Sequence, residues 1–192
     1  LEELRQNKNN KEFFQNLFNE CSNLMQTIMH LSQPVIAEVC GIAAAAGCQL
    51  VASCDLAVAS ENASFMTPGV NIGLFCSTPM VAVSRNISRK KIMEMLLTGE
   101  SMSAKDAVDY GLINHCVPIN QLQDKTMSLA NLIASKPIST VKIGKEAFYK
   151  QVEMPISEAY NYTSEVMAKN MLELDAHEGI SAFLEKRLPE WN

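Results

Sequence analysis

Positive charge is scarce and scattered in this sequence. The 192-residue chain has 16 Lys and Arg against 21 Asp and Glu, a formal net charge of -5, and its longest basic run is Arg89-Lys90-Lys91. A dedicated nucleic-acid binder needs a basic stripe to neutralise phosphates, and none is present. Only three histidines occur, His30, His115 and His177, none at ligand spacing from another His or a Cys pair, so no metal site is expected. The six cysteines form no C-x-x-C pair and sit mostly among apolar neighbours, the pattern of free thiols in a reducing compartment. Long apolar runs are missing too. The stretch Val35 to Ala46 is broken by Glu38 and Gly41 and is too short to span a bilayer. The polar start, Leu1 to Asn10, has neither a signal-peptide nor a transit-peptide pattern. With 8 Gly, 7 Pro, no internal repeat and no low-complexity tract, the chain is neither fibrous nor disordered as a whole.

What remains is a globular composition, 47% apolar, of a length suited to one α/β domain. Apolar residues recur at helical spacing from Lys11 to Leu31, ending before Pro34. Val35 to Val39 and Leu56 to Ala59 are short β-branched runs, and Gly41 through Cys54 holds two to three helical turns between them. Such a crossover produces a parallel pair of strands. Thr67 to Gly73, with a Pro and two Gly, is a loop of special backbone geometry. Helices are then expected from Thr78-Pro79, with Thr78 as N-cap, from Ser88 to a Gly99 stop, and from a capping box at Ser103. Ile113 to Val117 is the last strand. Residues 1–120 are expected to form the core and 121–192 a helical region broken at Pro137 and Pro155.

The most informative stretch is Gly41-Ile42-Ala43-Ala44-Ala45-Ala46-Gly47-Cys48-Gln49-Leu50. Tiny side chains at a helix mouth serve either close packing against another element or the approach of a ligand to unpaired amides. Those amides carry the positive end of the helix dipole and suit a developing oxyanion. Asp55, ahead of a strand, is read as a backbone tie and Asp109 as a surface residue; neither is a candidate base.

Pro34-Val35-Ile36-Ala37, Gly41 with the small run, Gly47-Cys48-Gln49-Leu50, Cys54-Asp55-Leu56-Ala57-Val58-Ala59, Ala63-Ser64-Phe65 and Gly73 together resemble the enoyl-CoA hydratase/isomerase, or crotonase, superfamily. Leu97-Thr98-Gly99, Ser103-Ala104, Gly111-Leu112-Ile113 and Glu178 through Arg187 carry the likeness to the C-terminal end. The resemblance implies a ClpP-like β-β-α spiral with a C-terminal helical region. It also implies an acyl-CoA thioester as substrate or ligand, no other cofactor, and trimers or dimers of trimers built through the helical region. Several of the family's strands, and a first oxyanion donor in a Gly-x-Asp-Leu loop, would precede Leu1. The chain is therefore expected to lack them, as a fragment or truncated product, unless that half is supplied otherwise.

Carried over residue by residue, the resemblance makes the backbone N–H of Ala46 the second oxyanion donor. The family's two hydratase glutamates fall at Gln49 and Gly69, and a carboxylate of some isomerases falls at Ser77, so all three acid/base positions lack a carboxylate. One positioned acid or base is worth roughly 10²–10⁴-fold, and hydration is expected to be very weak. Asn71, Cys76 and Thr78 are candidate substrate-binding residues, with Gln49 and Cys76 open to reading as lining or packing groups. Met167 and Lys186 match positions that reach the CoA moiety. Three functions are weighed: an enzyme of acyl-CoA and fatty-acid metabolism, a binding or regulatory protein that keeps the thioester pocket, and a truncated remnant. The mitochondrial matrix or cytoplasm is the expected compartment, with neither nucleic acid nor membrane as partner.

Overall fold

The computed structural model describes residues 1–191. The chain divides into two compact units, the first made of residues 1–29 and 35–126 and the second of residues 30–34 and the chain from Met127 on.

In the first unit a one-turn helix, α1 (Glu2–Gln6), and the long amphipathic α2 (Lys11–His30) precede a repeating course. A strand joins one sheet, a second strand joins another, and a helix follows: β1 (Ile36–Val39), β2 (Ile42–Ala44), α3 (Ala46–Ser53), then β3 (Leu56–Ser60), β4 (Ser64–Met66) and a 3-10 turn (Pro68–Ile72) leading into α4 (Pro79–Val83) and α5 (Arg89–Thr98). After β5 (Met102–Ser103) and α6 (Ala104–Asp109), β6 (His115–Val117) returns to the first sheet. The first sheet has the order β1-β3-β6, all parallel; the second has the order β2-β4-β5, with β5 antiparallel. This is the β-β-α spiral that the resemblance implied.

Small side chains make the spiral tight. Ala57, Val58, Ala59 and Ser60 are buried along both faces of β3, with Ala43, Ala63, Ala104 and Ala107 beside them. Phe65, Met95 and Met102 fill the remaining volume as the largest fully buried side chains. All six cysteines are free thiols.

The structure departs from the sequence reading in a few places. The Ala run does not begin as helix: Ile42–Ala44 pairs with Ser64–Met66 as a strand, and only then does α3 start. Alanine's helical propensity is a fraction of a kcal/mol per residue and yields to a ladder of tertiary hydrogen bonds. Thr78 stands at the N-cap with Pro79 as the first helical residue, as expected, though it has helical dihedrals and its side chain makes no cap hydrogen bond. At the other two starts the side chains do cap. The Ser88 hydroxyl accepts from the Lys91 N–H at 3.4 Å. The Ser103 hydroxyl accepts from the Asp106 N–H at 3.1 Å and donates to the Asp106 carboxylate at 2.7 Å.

The second unit is helical: α7 (Leu122–Ala134) enters it, followed by α8 (Ile138–Gln151), α9 (Ile156–Asn170) and α10 (Leu174–Glu185). Pro137 and Pro155 stand at the N-caps of α8 and α9, where a missing N–H costs nothing. The tail is clasped onto α10. Arg187 forks onto Glu178 at 2.6 and 2.9 Å, and the Glu190 N–H donates to the same carboxylate. The Trp191 indole N–H donates to the Ser135 carbonyl, its ring lying where a Cβ on Gly179 would be 3.3 Å away. Among the described residues no helix is long and apolar enough to cross a membrane.

Two predictions follow from these ties. The Asp55 carboxylate accepts the Val35 N–H at 2.7 Å while the Val35 carbonyl accepts from Asp55 and Leu56, which fixes the start of β3 beside β1. Asp55→Ala is expected to lower unfolding free energy by about 1.5–3 kcal/mol, read from the urea midpoint. In the clasp, the hydrogen bonds from Arg187 and from the Glu190 backbone hold the Glu178 carboxyl down at about 2. A depressed folded value means that the tie is complete above the ordinary glutamate range and is lost as pH falls toward 2. Emission of Trp191, the single tryptophan, is expected to stay constant from neutral pH to about pH 4.5 and to shift below it, and Glu178→Gln is expected to shift it already at pH 7.

Candidate functional site

The candidate site of the first unit is built around the end of β2. The Ala45 N–H donates to the Met66 carbonyl at 3.0 Å, the last rung between β2 and β4. Ala45 then takes φ 49 and ψ -113, a left-handed conformation that glycine adopts freely and alanine adopts at a cost of about 1–3 kcal/mol. The bend swings the next peptide off the ladder, and Ala46 opens α3 as its first residue. Among the described residues no acceptor takes the Ala46 N–H, and Ala46 is exposed.

The first turn of α3 is anchored in the core by Cys48, which is fully buried. Burial pushes the Cys48 thiol up to about 12, with Cys76 adding to the rise, so Cys48 is neutral and no nucleophile. Gln49 is only 4% exposed. Its carboxamide makes no hydrogen bond within the described residues and is not among their sealed, unsatisfied polar atoms, so it keeps a small opening to solvent. Ala46 and Gln49 are three apart and share one face of α3.

Met66 leads directly into the segment that holds Gly69. Thr67 is fully buried and its hydroxyl has no partner. The 3-10 turn from Pro68 to Ile72 ends at Gly73 with φ 77, and the Leu74 N–H returns to the Gly69 carbonyl at 2.9 Å. Gly69 is buried at the centre, its N–H donating to the Cys76 sulfur at 3.3 Å. A Cβ at position 69 would lie 2.6 Å from the Leu74 carbonyl oxygen and 2.9 Å from that sulfur. Position 69 is therefore closed to any side chain as well as lacking one.

The remaining candidates are more scattered. Asn71 turns its amide toward the C-terminus of α5, where a Cβ on Gly99 would meet it at 2.7 Å. Ser77 is exposed, its hydroxyl donating to the Phe75 carbonyl at 3.4 Å, and Thr78 is half-buried. Met167 and Lys186 belong to the second unit. Met167 is exposed on α9, and Lys186 is the exposed C-cap of α10 with φ 58. Arg187 is committed to Glu178 and Glu185, whereas Lys186 forms no ion pair among the described residues. Sequence reasoning missed Ala45, Thr67 and Leu74. Nothing in a run of four alanines marks one for a left-handed bend, and Leu74 acts through its carbonyl.

The comparisons are consistent with this architecture. Residues 1–192 match the family described as Enoyl-CoA hydratase/isomerase. The chain is 50% identical over 182 residues to the human protein named enoyl-CoA hydratase domain-containing protein 3, mitochondrial, covering 95% of this chain and 60% of that one. It is 33% identical over 164 residues to a probable mitochondrial enoyl-CoA hydratase of Dictyostelium discoideum, covering 84% of this chain and 59% of that one. The chain thus spans about 60% of the length of the relatives it matches. A crystal structure of the human domain-containing protein 3 superposes with a TM-score of 0.95 at 48% identity, over 98% of this chain and 75% of that one. An enoyl-CoA hydratase of Mycobacterium smegmatis superposes with a TM-score of 0.93 at 51% identity, over 94% and 70%.

The packing at position 69 is directly testable. Gly69→Ala is expected to cost about 1–3 kcal/mol of stability in urea unfolding. Adding Cys76→Ala is expected not to recover it, because the Leu74 carbonyl is the nearer obstacle.

Proposed function

The chain belongs to the enoyl-CoA hydratase/isomerase family, and from that premise we propose that it binds an acyl-CoA thioester with the carbonyl oxygen on the Ala46 N–H. The observation that carries this reading is the amide of the exposed residue Ala46, turned out of the sheet by Ala45 and left without an acceptor among the described residues at the positive end of α3. A second donor, from a segment preceding Leu1 in the family pattern, would complete the oxyanion hole. Gln49 and, from the segment that follows Met66, Asn71, Cys76, Ser77 and Thr78 are the neutral polar groups we assign to the thioester end of the ligand.

Ordinary hydration is not the reaction this site favours. Adding water to an enoyl thioester needs a base to activate the water and an acid to protonate the α-carbon. Gln49 is a neutral amide and Gly69 has no room for a side chain. That second observation favours a protein of acyl-CoA metabolism in which thioester binding outlasted hydratase chemistry, as a carrier or regulator. The compartment we propose is mitochondrial, following the names of the relatives. Exposed apolar side chains of the second unit, such as Ile138, Leu172 and Phe183, suit burial between subunits of a trimer.

Crotonyl-CoA tests the reading. Binding is expected in calorimetry, while hydration, followed by loss of the conjugated thioester absorbance, is expected to run at least about 100-fold below a typical kcat of roughly 10 s⁻¹. Hydration near that rate would overturn the assignment of Gln49 and Gly69, and failure to bind would overturn the thioester site.

A further inference from the structure

The basic run of the sequence plays no part in the thioester site and lies at the start of α5. Arg85, Arg89, Lys90 and Lys91 put four cations into seven residues, and no Asp or Glu occurs from Asn62 to Met93. In a chain whose net charge is -5, this is a local excess of the opposite sign. Lys91 is neutralised: its Nζ pairs with Glu94 at 2.8 Å and lies 5.0 Å from the centre of the Tyr110 ring. Arg89 and Lys90 are exposed and form no ion pair among the described residues. Arg85 is exposed as well, its Nη1 donating to the Val81 carbonyl at 2.9 Å. Ser88 stands inside this cluster. It is exposed, in the turn that joins α4 to α5, and its backbone is extended, with φ -62 and ψ 148. Its hydroxyl accepts the long 3.4 Å bond from the Lys91 N–H and donates to no group among the described residues. Ser84, one turn earlier, is the internal contrast: it is exposed too, but no Lys or Arg lies from Phe75 to Val83 ahead of it.

An exposed hydroxyl on extended backbone, with an Arg three residues ahead of it, has the form selected by protein kinases whose acidic clefts hold guanidinium groups on the N-terminal side of the acceptor. We propose that Ser88 is a phosphorylation site for a kinase of this basophilic class, and that Arg89 and Lys90 retain the phosphate at the start of α5. In the transfer, the Ser88 Oγ forms a bond to the γ-phosphorus of ATP as the bond from that phosphorus to the bridging oxygen breaks. ADP leaves with the electron pair, and the hydroxyl proton passes to the kinase's base. The product carries about -1.5 to -2 charge and three acceptor oxygens at neutral pH. The first turn of α5 holds three cations and no acid, charge of the sign that a helix N-terminus disfavours. Phosphate at Ser88 reverses that sign. The modification therefore firms α5 where the unmodified chain repels itself.

The test incubates the purified, folded full chain with ATP and the catalytic subunit of cAMP-dependent protein kinase, which selects basic residues ahead of its acceptor, and in parallel with casein kinase 2, which selects acidic ones. Mass spectrometry of the digest is expected to place phosphate at Ser88 with the first enzyme and not with the second, and to find Ser84 unmodified. Ser88→Ala is expected to abolish that incorporation. Arg85→Ala is expected to slow it at least about tenfold, the loss of one charged hydrogen bond to the kinase, with unchanged circular dichroism; Arg85→Lys is expected to slow it less. The phosphorylated chain is expected to have a higher urea midpoint than the unmodified chain at about 0.01 M salt, the gain shrinking at about 1 M as the charges are screened. If the folded chain takes no phosphate at Ser88, the inference falls. Transfer to Ser88 that is as fast in Arg85→Ala or with casein kinase 2, or equal transfer to Ser84, would show that the basic cluster does not select the site. A urea midpoint unmoved by phosphate at low salt would overturn its retention by Arg89 and Lys90.

Discussion

One peptide strand decides where the candidate site can exist. Met66, the last residue of β4, accepts from the Ala45 N–H, and Cys48 is fully buried in the first turn of α3. That hydrogen bond and that burial hold the helix mouth against the second sheet and keep the bend at Ala45 in place. Without them a run of four alanines would favour continuous helix, and the Ala46 amide would find a carbonyl one turn back. The amide is available because the fold denies it that partner.

The same strand leads directly into the loop around Gly69. Ala46 and Gln49 stand on one side of Met66, and Thr67, Gly69 and Cys76 follow it. Neither Val39 to Cys54 nor Asn62 to Ser84 carries a charged side chain, so within these segments proton abstraction and water activation lack a carboxylate or imidazole.

Much of the architecture was legible from the chain because each β-β-α turn leaves local marks. Ser88, Gly99 and Ser103 punctuate helices as their chemistry dictates, and Val35–Val39 against Leu56–Ala59 reads as a parallel pair. The second sheet was less visible. Its strands are two or three residues long, and Ile42–Ala44 is spelled in a helix former; pairing with residues more than twenty positions away decides its conformation. For the candidate site, motif resemblance singled out Ala46, Gln49 and Gly69, but nothing in it indicated that a side chain at position 69 would meet main chain. That fact belongs to a backbone carbonyl at Leu74 and the fold of a 3-10 turn, which no side-chain pattern encodes.

The tight turn around Gly69 limits what position 69 can become. A Cβ there would run first into main chain, at the Leu74 carbonyl, and next into the Cys76 sulfur. Placing a carboxylate at position 69 therefore requires the path of residues 69–76 to move with it, so acid/base chemistry could be installed here only by rebuilding the loop together with the residue.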